Sequence, residues 1–311
     1  MEMLCIVGPT ATGKTRLSVA LAQRLGAEIV SCDSMQLYRG MDVGTAKPTA
    51  QEMGGVPHHM IDCLDPREEF SVSRYVELAD RCVQDILARG KPVIVVGGTG
   101  LYVDSLVAGR EFAPFPQTGR REALTARAEK EGIEPLMREL RAVDPEAAES
   151  IHPSNQKRVI RALEVYLETG KTITAHNEET KTLPPRYDAV WIGLRFADRE
   201  DMKALIDRRV DAMVEEGLLD EVKGLLESGL PREATALQAI GYKEFLGVLE
   251  GIATEAEAIA EVKLRSRQYA KRQLTWLRRN PDIHWIEWEK ERDFGRALQV
   301  STEILTAAGV S

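Results

Sequence analysis

The sequence predicts an α/β fold, a parallel β-sheet flanked by helices and interrupted by a small inserted helical domain. Three observations predict it. Short apolar runs alternate with helical patterns through the first third of the chain. A glycine-rich phosphate-loop pattern falls between the first apolar run and the first helical pattern. The alternation then stops near Ala113 and resumes near Ala189.

Met3 to Val7 reads as a buried strand, and Lys14 to Leu25 as a helix, because Leu17, Leu21 and Leu25 recur on one face. Glu28 to Cys32 and His58 to Asp62 read as further strands. A helix over about Ser73 to Ala88 is stopped by Gly90 and Pro92, and Val93 to Val96 is a β-branched strand. The stretch Ala113 to Gly119 is turn-rich, and helices without a convincing strand run on to about Tyr187. Ser154 or Asn155 can cap one of them, and Gly170 can end it. Strand patterns return at Ala189 to Phe196 and Ile283 to Trp288, with a helix from about Lys203 to Ser228 between them. The predicted domains are therefore 1–112 with 188–311, and an insert over 113–187.

Of 311 residues 43% are apolar, enough for one large core or two smaller ones. No apolar run approaches the ~20 residues of a membrane span, so no membrane association is expected. Cys5, Cys32, Cys63 and Cys82 form no Cys-x-x-Cys pair, which argues against a zinc site and fits a reducing cytoplasm.

Gly8-Pro9-Thr10-Ala11-Thr12-Gly13-Lys14-Thr15 matches G-x-x-x-x-G-K-[ST] at every fixed position and sits between a predicted strand and a predicted helix. This makes the sheet domain P-loop NTPase-like. Glycines let backbone N–H groups close around phosphate oxygens at a helix N-terminus. Lys14 supplies a cation, and the Thr15 hydroxyl can ligate Mg²⁺. Such a loop recognises phosphates, not a reaction.

Asp33-Ser-Met-Gln-Leu-Tyr38 follows the second strand, at the carboxyl edge where doubly wound sheets bind ligands. Taken alone, an aspartate there is more often a cap or turn residue than a catalytic one. It is accompanied by Gly44-Thr-Ala-Lys-Pro48, Pro57-His-His59 and Val96-Gly-Gly-Thr-Gly-Leu-Tyr102. Further on come Gln156-Lys-Arg-Val-Ile-Arg-Ala-Leu-Glu164, Gln238-Ala-Ile-Gly-Tyr-Lys-Glu244 and Tyr269-Ala-Lys-Arg-Gln-Leu-Thr-Trp276. The set, in this order from Gly8 to about Arg279, resembles the bacterial tRNA dimethylallyltransferases, or tRNA isopentenyltransferases.

The resemblance implies transfer of a dimethylallyl group from dimethylallyl diphosphate to N6 of the adenosine just 3′ of the anticodon, with diphosphate leaving and Mg²⁺ assisting. It implies Asp33 as the base that accepts the N6 proton, and an arginine on the later chain against the diphosphate. The pattern Arg-Val-Asp-x-Met favours Arg209 for that role, with Arg208 left open as a solvated neighbour. Thr99, in a Gly-Gly-Thr-Gly loop, is expected to bond the adenine or the Asp33 carboxylate. The segments Asp33, Ser34, Met35, Gln36 and Gln156, Lys157, Arg158, Val159, Ile160, Arg161 are the implied contacts to the anticodon loop.

A net charge of −8 looks wrong for an RNA enzyme until the charge is mapped. Lys263 to Arg279 holds seven basic residues and no acidic one. On a helix, Lys263, Arg267, Lys271 and Arg278 fall within roughly 80° of one another. Arg265, Arg272 and Arg279 form a second stripe, and Arg120 and Arg121 add a patch at the start of the insert. These patches, around the predicted pocket, suit a phosphate backbone, here the anticodon stem-loop of tRNA bound to a monomer. Rival readings are a small-molecule kinase, an isopentenyltransferase acting on free adenine nucleotides, and an RNA-binding regulator with a vestigial loop.

Overall fold

The computed structural model describes residues 2–110, 118–181 and 184–310. Residues 113–117 of the turn-rich stretch expected over 113–119, and the predicted boundary at 112 and 113, lie outside them. The described residues divide into two compact units, 110–185 and the remainder of the chain.

The larger unit opens with β1 (Met3–Val7), α1 (Lys14–Leu25), β2 (Glu28–Ser31), α2 (Ala50–Met53), β3 (His58–His59), α3 (Val72–Ala88), β4 (Val93–Gly97) and α4 (Gly100–Ala108). The smaller unit holds α5 (Arg120–Glu131), α6 (Glu134–Val143), α7 (Pro145–Ser150), α8 (Gln156–Thr169) and α9 (Ile173–Lys181). The larger unit then resumes with β5 (Ala189–Phe196), α10 (Arg199–Glu215), α11 (Leu218–Glu227), α12 (Tyr242–Leu249), α13 (Glu255–Leu277), β6 (Ile283–Trp288) and α14 (Phe294–Ala307).

The sheet has six strands in the order β3-β2-β4-β1-β5-β6, and every pair is parallel. All five residues of β1 are buried, as an apolar strand must be when helices cover both faces of the sheet. Leu4, Ile6, Ile29, Ile94, Ile192 and Leu194 of the strands pack with Leu17 and Leu21 of α1 and Ile206 of α10 in one core. Each such side chain contributes about 1.5–3 kcal/mol on burial. Parallel strands bring all their carboxyl ends to one rim, so the segments starting at Gly8, Cys32 and Gly98 converge.

Two expectations are corrected. The helix expected over 203–228 is two helices, because Gly217 takes φ 97° and turns the chain between α10 and α11. The strand expected over His58 to Asp62 is only two residues long, since Met60 and Asp62 adopt left-handed φ values of 60° and 52°. The smaller unit has its own core, with Leu124, Leu136, Leu140, Val159 and Leu163 buried together. Asn155, not Ser154, caps α8 by accepting from the Arg158 N–H, and Gly170 ends it at φ 70°.

Candidate active site

Gly8 leaves β1 where a Cβ would lie 2.5 Å from the Leu194 carbonyl oxygen of β5, so only glycine fits. Ala11 takes φ 65° and Gly13 φ 89°, the left-handed steps that fold the loop into α1. Lys14 Nζ donates to the Pro9 carbonyl at 2.7 Å, and Thr12 Oγ1 donates to the same oxygen at 2.9 Å. Thr15 lines the cavity from the first turn of α1.

The later chain props this loop. Gln273 Oε1 of α13 accepts from the Thr10 N–H at 3.0 Å. Trp288 Nε1 of β6 donates to the Thr12 carbonyl at 2.9 Å. The Phe294 ring lies where a Cβ on Gly13 would meet it at 2.6 Å.

Lys14 and Arg209 line one cavity of about 940 Å³ together with Asp33. Burial pulls the Lys14 ammonium down to about 7; Arg209 lowers it further and Asp33 pulls it back up. Burial likewise lowers Arg209 from the ordinary guanidinium range, with Asp33 and Glu52 opposing. Among the described residues Arg209 Nε is shielded from solvent and has no hydrogen-bond partner. Two desolvated cations, one carrying an unused donor, make a site suited to an anion.

Asp33 Oδ1 accepts from the Met35 N–H at 2.9 Å and from the Gln36 N–H at 3.4 Å. One oxygen therefore holds a turn, and the other takes no hydrogen bond among the described residues. Thr99 Oγ1 accepts from the Ser34 N–H at 3.4 Å, where a bond to the Asp33 carboxylate was one expectation. The Tyr269 hydroxyl meets Thr99 and Gln273; burial, with Asp33 adding, pushes that phenol up to about 12 and keeps it a neutral donor. Ser34, Met35 and Gln36 also line the cavity, and Gln36 Nε2 donates to the carbonyls of Thr45 and Ala46 at 3.2 and 3.3 Å. Gly97 is required by close approach, since a Cβ there would lie 2.1 Å from the Cys32 carbonyl oxygen, and a Cβ on Gly98 would displace the Gln273 amide, whose Nε2 would lie 2.1 Å away.

The loop over 42–44 is held by Glu221 of α11, whose carboxylate accepts from the N–H groups of Asp42, Val43 and Gly44 at 2.7, 2.8 and 3.1 Å. The Tyr242 hydroxyl donates to the same carboxylate at 2.5 Å.

The basic residues divide. Lys271 and Arg272 on α13 and Arg278 just after it are exposed, and Arg272 also lines the cavity. Lys263 pairs with Asp211 of α10 at 2.5 Å and Arg267 with Asp207 at 3.5 Å, so half of the expected stripe faces its neighbouring helix. In the smaller unit Gln156, Lys157 and Arg158 are exposed, and Arg121 and Arg161 both pair with Glu164. The expected contacts through Val159 and Ile160 are corrected: both side chains are buried in that unit's own core, on the apolar face of α8.

Gln273, Trp288, Arg292 and Phe294 were missed in the sequence. Gln273 stands inside the motif Tyr269 to Trp276, but nothing local says that its amide reaches back to Thr10. The other three lie beyond the motifs.

Comparison with known proteins follows this geometry. A family model described as IPP transferase matches residues 36–280, and one described as isopentenyl transferase matches residues 1–67. The chain is 46% identical over 286 residues to the tRNA dimethylallyltransferase of Acetivibrio thermocellus, covering 92% of this chain and 91% of that one. It is 47% identical over 286 residues to that of Bacillus subtilis, covering 92% and 90%. The crystal structure of the tRNA isopentenylpyrophosphate transferase of Bacillus halodurans superposes with a TM-score of 0.73 at 43% identity, covering 98% and 97%. A eukaryotic dimethylallyltransferase acting on tRNA superposes at 0.83 with 30% identity, covering 99% of this chain and 80% of that one.

Proposed function

Because this chain belongs to the IPP transferase family, whose members prenylate tRNA, we propose that it moves a dimethylallyl group from dimethylallyl diphosphate to N6 of the adenosine just 3′ of the anticodon. The observation that carries the residue roles is the single cavity lined by Lys14, Arg209 and Asp33.

The exocyclic amine of adenine is a weak nucleophile, because its lone pair is delocalised into the ring. As the N6–C1 bond forms and the C1–O bond breaks, the bonding pair departs with the diphosphate, and N6 sheds a proton. Asp33 accepts that proton through the oxygen left over from its turn. Lys14, Arg209 and the loop amides meet the charge that builds on the diphosphate, and burial makes each contact stronger. Thr99 fixes the turn of Asp33 through the Ser34 N–H, and Tyr269 offers a neutral donor beside it.

Thr15 would hold a Mg²⁺ beside the bound diphosphate. Among the described residues no group of three His, Cys, Asp or Glu could cage a metal, whereas the Thr15 hydroxyl stands at the cavity. When bound, the ion neutralises charge on the leaving group. Chelation by EDTA is expected to abolish turnover, with Mg²⁺ restoring it.

The exposed cations Lys271, Arg272 and Arg278, with Gln156, Lys157 and Arg158, serve the RNA backbone. Among the described residues no helix is long and apolar enough to cross a membrane. A tRNA substrate supports a cytoplasmic location, and a cavity whose described lining comes from one chain supports a monomer. Labelled dimethylallyl diphosphate, Mg²⁺ and either total tRNA or AMP test the reading. Label is expected on tRNA; label on AMP alone, or on neither, would overturn it.

A further inference from the structure

At the lip of the cavity stands a second concentration of positive charge, outside the grip of Lys14 and Arg209. Arg16 comes from the first turn of α1, Arg208 from α10 and Arg292 from the segment between β6 and α14; all three are exposed and line the same cavity. Arg16 and Arg292 share one aromatic ring: their guanidinium carbons lie 4.3 and 5.7 Å from the centroid of Phe294. Arg292 Nη1 also donates to the Ala11 carbonyl at 3.3 Å, inside the phosphate loop.

Several surface arginines of this acidic chain meet carboxylates, as Arg74 meets Glu68, Arg81 meets Glu77 and Arg195 meets Glu287. Arg16, Arg208 and Arg292 form no such pair among the described residues. Burial lowers Arg292 from the ordinary guanidinium range, and Arg16 and Arg208 press it in the same direction. Three neighbouring like charges without a counter-charge repel each other, and an anion seated among them reverses that balance. Planar guanidinium forks suit phosphate oxygens, which they can hold two at a time.

We propose that Arg16, Arg208 and Arg292 form an outer anion subsite that receives free diphosphate between the inner grip and solvent, setting the rate at which product leaves. The proposal rests on the reaction given above. When C1–O breaks, the product gains an ionisable oxygen that the allyl ester lacks and sheds its hydrocarbon tail. Free diphosphate is thus drawn to a purely cationic lip more strongly than the ester, which the tail keeps in the inner cavity.

The test titrates inorganic diphosphate, and separately dimethylallyl diphosphate, into the full chain by calorimetry without tRNA. In the double variant R16Q/R292Q the Kd for inorganic diphosphate is expected to rise about tenfold, and that for dimethylallyl diphosphate less than about threefold. Product inhibition by diphosphate should weaken in step. If the double variant does not fold, the single variants R16Q and R292Q are expected to keep the same order with smaller shifts. Equal losses for both ligands would assign these arginines to the inner grip, and no loss for either would remove them from anion binding; both overturn the subsite. A wild-type chain that binds diphosphate in this pattern yet labels no tRNA would sink the reaction alone.

Discussion

Asp33 gives its two carboxylate oxygens different work. Oδ1 is spent on the N–H groups of Met35 and Gln36, so replacing the whole side chain would confound a lost base with a lost turn. Asp33→Asn keeps an oxygen for the turn and removes the base. It is expected to bind tRNA normally and lose about 10²–10⁴-fold in single-turnover transfer; equal loss of tRNA affinity would deny the role. Lys14 predicts a pH dependence. Burial holds its ammonium at about 7, and a bound diphosphate favours the charged form. Above that pH, binding must take up a proton, so affinity falls as pH rises, by up to about tenfold per unit. Below it, Lys14 is already charged and contributes no slope. Calorimetry at several pH values reads this directly, and Lys14→Met should flatten the curve. At this scale the phosphate-loop pattern was legible, because it lies in adjacent letters, whereas Asp33 was singled out only through the resemblance carried by the whole set of motifs. Gln273 and Arg292 were not legible, because their partners in the loop lie 263 and 281 residues away.

Among the elements, α11 acts on the site without lining it. Glu221 fills a cradle of three successive N–H groups with a carboxylate, and the loop it holds ends at the Thr45 and Ala46 carbonyls that orient Gln36. Glu221→Ala leaves those donors and the Tyr242 hydroxyl without an acceptor, at about 1–3 kcal/mol for each group that water does not reach. A lower Tm and a raised KM for tRNA are expected, with Glu221→Gln intermediate; unchanged values of both would refute the clamp. The break that aims α11 was not legible. Leu218, Val222 and Leu225 continue a helical pattern past Gly217, and apolar spacing does not report a left-handed φ. Strands β1 and β4 were legible for the opposite reason, since burial on both faces writes itself as an unbroken apolar run.

For the whole molecule, alternation of strands and helices disclosed a parallel sheet, but not that β1 would lie between β4 and β5. That order depends on pairings between distant segments. The smaller unit was legible as a stretch of helices, and its own core predicts an unfolding of its own. Leu140→Ala is expected to cost about 2–5 kcal/mol, with faster hydrogen exchange in 118–181 and unchanged protection in β1, β4 and β5. The props of the phosphate loop carry a consequence for synthesis. Gln273, Trp288 and Arg292 reach Thr10, Thr12 and Ala11 across 263, 276 and 281 residues. A ribosome thus makes the motif long before it makes the residues that brace it. A nascent chain stalled short of β6 would carry every letter of the loop without its finished shape, so diphosphate binding should appear late in translation, in a single step.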